Sequence, residues 1–163
     1  EAIAHFENVY RSTRHRFFSV SKEATKQLLQ AVYCLGFCYC ELCLFEKAFY
    51  YLNMVKSTGD IHHAMEYVNV LANSGDLRVF KEIETIVDDV RQQFPDDDDL
   101  PEHVQKLLSF LKRRHGYSLI EFGKLDEAEK VFKSLLDDPT SQDYPVSELA
   151  YIQKLKSNES PES

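Results

Sequence analysis

Apolar residues recur three and four positions apart along almost the whole chain, the spacing that aligns side chains on one face of an α-helix. The clearest stretch is residues 115–132, HGYSLIEFGKLDEAEKVF. It reads as one helix, a tight turn at Gly123 and a second helix, with Gly116 and Ala128 as the small residues of the two. The same layout occurs upstream in residues 35–52, LGFCYCELCLFEKAFYYL, where Gly36 and Ala48 are twelve apart, as are Gly116 and Ala128. The period predicts helices over about 1–12, 21–43, 46–56, 61–73, 77–94, 101–122, 125–136 and 145–157. In the first, Ile3, Phe6, Val9 and Tyr10 share a face; in the second, Leu28, Leu29, Val32, Leu35 and Tyr39 do. The punctuation agrees. Ser21 is a capping residue, Gly59 and Gly75 follow helix ends where a left-handed residue is favoured, and Pro101 sits where a first helical turn tolerates it. Pro95 and Asp137-Asp138-Pro139 act as stops. Residues 13–20 form a basic, aromatic connector, and the polar end 158–163 reads as a disordered tail. Alternating, β-branched runs are missing, so the expectation is all-α. Loops of two to four residues within a pair make the two helices antiparallel neighbours, and residues 1–157 are expected to form one helical domain.

Composition narrows the function. The chain has 163 residues, 44% hydrophobic and 28% charged, with a formal net charge of −8. That balance argues against a nucleic-acid surface, which needs a basic stripe. No apolar run approaches the roughly 18 residues that span a bilayer, and no signal peptide is visible, so no membrane partner is expected. The chain opens without Met and inside a helical pattern, as a mature fragment or excised domain would.

Candidate chemistry is sparse. Cys34, Cys38, Cys40 and Cys43 lie on one predicted helix, where about 100° per residue spreads them around the axis. Only Cys34 and Cys38 share a face, and the single CxxC has no second ligand pair. They read as small packed residues in a reducing, cytoplasmic setting, with no metal. Asp96-Asp97-Asp98-Asp99 lacks the alternation, glycine and distal glutamate of a calcium loop. His62 and His63 are adjacent and point to different sides of a helix. His115 reads as a buried, hydrogen-bonded residue. Arg11, Arg14, His15 and Arg16 form a basic cluster beside Phe17 and Phe18. No nucleophile–base constellation or phosphate loop is present, so the chain reads as a non-enzyme that takes no cofactor.

The repeated pairs resemble tetratricopeptide repeats (TPRs), helix-turn-helix units of about 34 residues, in a degenerate, bacterial-type form. The matching positions are His115-Gly116, Leu119, Gly123, Ala128 and Phe132 in one unit, and Leu35-Gly36, Tyr39, Cys43, Ala48 and Leu52 in another. The opening EAIAHF is similar to EAEKVF of residues 127–132, so the chain starts on a half repeat. In the middle unit Gly75 and Leu71 fit, but Phe80 stands where Ala is expected. The resemblance implies a right-handed alpha-alpha superhelix, a solenoid of antiparallel helix pairs. Its parts are a half repeat at 1–12, units at 21–60, 61–94 and 101–140, and a C-terminal capping helix at 145–157. It further implies a protein–protein interaction scaffold binding a peptide or partner protein in a concave groove, or a regulatory or assembly domain of a longer protein. Carried over by position, the groove residues are Tyr33, Phe37, Cys40 and Glu41, then Met65, Asn69 and Asn73, then Arg113, Tyr117 and Glu121. Tyr33 and Phe37 replace the Lys-Asn pair with which some family members clamp chaperone tails, so that ligand is not expected.

Overall fold

A computed structural model describes residues 1–13, 22–96, 100–138, 141 and 143–159. The predicted cap Ser21, most of the basic connector and Asp97–Asp99 lie outside the described residues. Among the described residues there are eight helices and no strand: α1 (Ala2–Thr13), α2 (Lys22–Glu41), α3 (Phe45–Val55), α4 (Ile61–Asn73), α5 (Arg78–Gln93), α6 (Glu102–Glu121), α7 (Leu125–Ser134) and α8 (Tyr144–Glu159). The last helix takes in the first two residues of the predicted tail. Where the sequence pattern draws one continuous array, the packing divides the chain into two compact units, Glu1–Ser74 and Gly75–Ser163. The boundary falls inside the predicted middle unit 61–94, placing α4 in the first unit and α5 in the second.

Each unit contains the same helix hairpin, with every position displaced by 80, as 36 to 116 and 48 to 128. The helices α2 and α6 are both 20 residues long and keep that displacement at both ends. The reason is local. Ala48 and Ala128 are fully buried, and four residues further on each second helix sets a large side chain, Leu52 or Phe132, against the glycine of the first. A methyl group added at Gly36 would lie 2.6 Å from Leu52 Cδ2, and one at Gly116 would lie 2.7 Å from Phe132 Cζ. Both separations are shorter than packed carbons tolerate, so each glycine is the space its large partner fills.

The turns match as closely. The Leu44 amide donates to the Tyr39 carbonyl at 2.9 Å and the Cys43 amide to the Cys40 carbonyl at 2.8 Å; the Lys124 amide donates to Leu119 at 2.8 Å and the Gly123 amide to Ile120 at 3.0 Å. This is the Schellman pattern, which needs a left-handed residue just past the helix. Gly123 supplies it with φ of 71°, and Cys43 supplies it with φ of 56°. A thiol-bearing residue there carries a strain of about 1–2 kcal/mol that glycine avoids.

In the first unit, α1 is tied to α2 by the Tyr39 hydroxyl, which donates to Glu7 Oε1 at 2.8 Å. That bond to a carboxylate, helped by burial, pushes the Tyr39 phenol up to about 12. Tyr51 of α3 joins the cluster, stacked on Tyr39 and edge-on to Tyr10. The helix α4 opens on Asp60, whose carboxylate accepts the His62 amide at 2.9 Å, a standard N-cap bond.

In the second unit, Leu119, Leu125, Ala128, Phe132 and Leu135 form a core that Ile152 of α8 completes. Outside it, Lys156 Nζ reaches Asp126 at 2.6 Å and Glu129 at 2.5 Å, while Glu129 also takes Lys133 at 2.6 Å. The bonds from Lys133 and Lys156 hold the Glu129 carboxyl down to about 2. The bonds to Asp126 and Glu129 hold Lys156 above the ordinary lysine value. The sign follows from linkage. Glu129 adds its full stabilisation above the usual carboxylate range and loses it as pH falls toward 2. Lys156 adds its full share below the ordinary lysine range and loses it only at higher pH. Replacing Lys156 by Met is therefore expected to lower the thermal midpoint more at about pH 6 than at about pH 3. Equal shifts at the two pH values would show that the tether contributes nothing.

Candidate functional site

The candidate groove residues divide between the units, and each group is built differently. In the first unit, α2 and α4 run in the same direction with α3 antiparallel to them. The Tyr33 and His63 rings meet at one end, with centroids 5.0 Å apart. At the other end Asn73 Nδ2 donates weakly to Cys40 Sγ at 3.9 Å. Between these contacts lie Phe37, 42% exposed, and the half-buried Met65, Glu66 and Asn69, with the exposed Glu41 one residue past Cys40. Asn69 Nδ2 leans on Glu66 Oε2 at 3.5 Å. Tyr33 is itself half-buried.

Cys40 needs correcting as a surface residue of this group. It is buried, because the parallel run of α4 brings Asn73 onto it. Burial pushes its thiol up, the Asn73 bond opposes that, and Glu66 and Glu41 add to the rise. Burial, then Glu66, Cys34 and Asp60, likewise raise the Tyr33 phenol. Beside Tyr33, His63 is fixed by Thr58. The Thr58 hydroxyl spends its proton on the Val55 carbonyl at 2.9 Å, so the 2.7 Å contact between Thr58 Oγ1 and His63 Nδ1 places a proton on that ring nitrogen.

In the second unit the C-terminal helix engages two of the three candidate residues. The Arg113 guanidinium carbon lies 5.5 Å from the centre of the Tyr144 ring. Tyr117 donates to Glu148 Oε1 at 3.2 Å and sets its ring edge-on to Phe132. Tyr117 is thus half-buried behind α8 and holds that helix in place, which corrects its reading as a free groove residue. Arg113 keeps an exposed side chain although it rests on Tyr144, and Glu121 is exposed.

A cleft of about 550 Å³ in the second unit was not anticipated. Phe80, Ile83 and Val87 of α5 and Leu108 of α6 form its apolar surface, with Glu84, Arg91, Lys112 and His115 also on its walls. Its volume falls in the range of ligand pockets. Its trace in the sequence was the placing of Phe80, Ile83 and Val87 three and four apart, with the ring at the position where the repeat pattern has Ala. His115 is half-buried against Phe80, with centroids 5.6 Å apart, rather than fully buried. Burial lowers its pKa while Glu127 and Glu84 oppose that. Glu121 is not among the walls. Of the cysteines, Cys34 and Cys38 are half-buried and Cys43 is exposed. Among the described residues no group of three or more His, Cys, Asp or Glu is placed to hold a metal, and no helix is long and apolar enough to cross a membrane. No protein-family model, curated protein or solved structure matches the chain.

Proposed function

We propose that the chain is a non-enzymatic protein-interaction scaffold of the TPR-like solenoid kind, and that it holds a segment of a partner protein along the α2–α4 face. The observation that supports this most is the face itself. Two parallel helices, set by a close-packed hairpin, present Tyr33, Phe37, Met65, Asn69 and Asn73 side by side, with Phe37 42% exposed. Exposed aromatic side chains on a rigid support are the usual anchors of protein recognition, and neighbouring amides suit the backbone of a bound segment. The recurrence of the hairpin at a fixed displacement adds the character of a repeat protein, whose stacked helices make extended binding surfaces.

The test compares the wild-type chain with a Tyr33→Ala/Phe37→Ala variant as immobilised bait, after far-UV circular dichroism has shown equal helix content. The variant is expected to lose at least about tenfold of the partner recovered by the wild type, as removal of hot-spot aromatics does. Recovery of the same proteins in the same amounts by both baits would remove the face from consideration.

A further inference from the structure

We infer that the cleft between α5 and α6 of the second unit binds an uncharged, mainly hydrocarbon small molecule, held along Ile83, Val87 and Leu108 beneath a mouth that carries charges of both signs. The inference does not rest on the scaffold reading, which concerns the first unit.

The first unit shows the same two helices closed. At a displacement of 80, α1 and α5 end together, at 13 and 93, and α2 and α6 match at both ends. On α2, Leu28, Val32 and Leu35 are all buried. The matching positions of α6 hold Leu108, Lys112 and His115; Lys112 is exposed and the other two are half-buried. The tie between the helices differs too. Glu7 of α1 accepts the Tyr39 hydroxyl, whereas the matching positions of the second unit hold Val87 and Leu119, which cannot form that bond. A sealed apolar stripe in one unit is thus an open cleft of about 550 Å³ in the other. Two of its three α6 positions have become polar. Apolar side chains below and a few polar ones at the rim are the make-up of ligand sites.

Phe80 anchors one end of the cleft, its ring edge-on to His115 and to Phe122 at centroid distances of 5.6 and 5.5 Å. The buried Ile83 and the half-buried Val87, Leu100 and Leu108 continue the apolar lining. Hydrocarbon laid on these side chains takes their half-exposed surface out of water, which favours binding. The charged wall residues balance, with Glu84 and Asp138 against Arg91 and Lys112. His115 adds no third cation near neutral pH, because burial holds its pKa below the ordinary histidine value. The described walls therefore carry no net charge to offset the cost of taking an ion out of water. A neutral imidazole has one donor and one acceptor nitrogen, so the His115 ring suits a hydroxyl rather than a charged group.

The experiment is a titration of the isotope-labelled full chain with octanol, octanoate and octylammonium, followed through backbone amide chemical shifts. Octanol is expected to shift amides of α5 and α6 saturably, and to bind at least about threefold more tightly than either ion. Leu108→Glu, at a half-buried position, is expected to weaken octanol about tenfold or more. Should that variant lose helix content, Val87→Thr keeps the shape of the side chain and is expected to weaken octanol about two- to threefold. Val146→Glu, at a 61% exposed residue of α8, is expected to leave binding unchanged. Absence of saturable shifts in α5 and α6 overturns the inference. So does binding of octanoate or octylammonium as tight as that of octanol, which would mean that the cleft selects a charge. An equal loss with Val146→Glu also overturns it, as the mark of adsorption on any exposed apolar side chain. None of these outcomes bears on the bait comparison that tests the α2–α4 face.

Discussion

Phe132→Ala is expected to destabilise the second unit by about 3–5 kcal/mol. The ring is fully buried. It lies against the backbone of α6 at Gly116, edge-on to Tyr117, and within the cluster formed by Leu119, Leu125, Ala128, Leu135 and Ile152. Truncation leaves a hole whose opposite wall is a glycine with no side chain to move in, so little relaxation offsets the loss. Two other elements depend on the same ring: Tyr117, which bonds Glu148, and through it the seating of α8. Hydrogen exchange followed by mass spectrometry on segments of α6 and α7 reads this unit directly, and urea unfolding by circular dichroism gives the size. A loss below about 1 kcal/mol would mean that the hairpin core is not assembled around Phe132.

Gly36→Ala tests the same architecture through its sign. In an ordinary helix interior, glycine to alanine gains about 1 kcal/mol. Here the new methyl group would meet Leu52 Cδ2 at 2.6 Å, and Leu52 is fully buried. Overpacking of this kind costs about 1–3 kcal/mol, so the net effect is expected to be a fall in thermal midpoint. A rise would show that α2 and α3 do not approach at this point. Leu52→Ala in the Gly36→Ala background removes the clash and is expected to abolish the extra cost of the methyl group, which separates steric conflict from any general intolerance of the site.

The hairpins were legible because their signal is local. Gly36 with Ala48, and Gly116 with Ala128, write the close approach into short stretches, and the turn residues follow within seven positions of the glycine. Even Cys43 could be aligned with Gly123, although the left-handed backbone it adopts goes against its side chain. The division after Ser74 was not legible, because Gly75 looks like any other turn glycine and the break depends on which helices pack together. The site shows the same limit. Carrying positions over from the repeat pattern spaces Tyr33, Phe37 and Glu41 four apart on α2, but such spacing holds no information on what lies over them. Cys40 went under Asn73, and Tyr117 went behind α8, through contacts between residues about thirty positions apart. The α5–α6 cleft was missed for a related reason: Phe80 registered as a departure from a repeat pattern, when its position on α5 makes it a wall.

The left-handed turn at Cys43 has a practical consequence. Of the four thiols in the chain, it is the exposed one, with Cys40 buried and Cys34 and Cys38 partly covered. A maleimide dye therefore has a preferred attachment point in the native protein, outside both helices and two residues from Glu41. The wild-type molecule carries its own optical handle at the end of α2, so the proposed binding on the α2–α4 face can be followed without altering any side chain of that face.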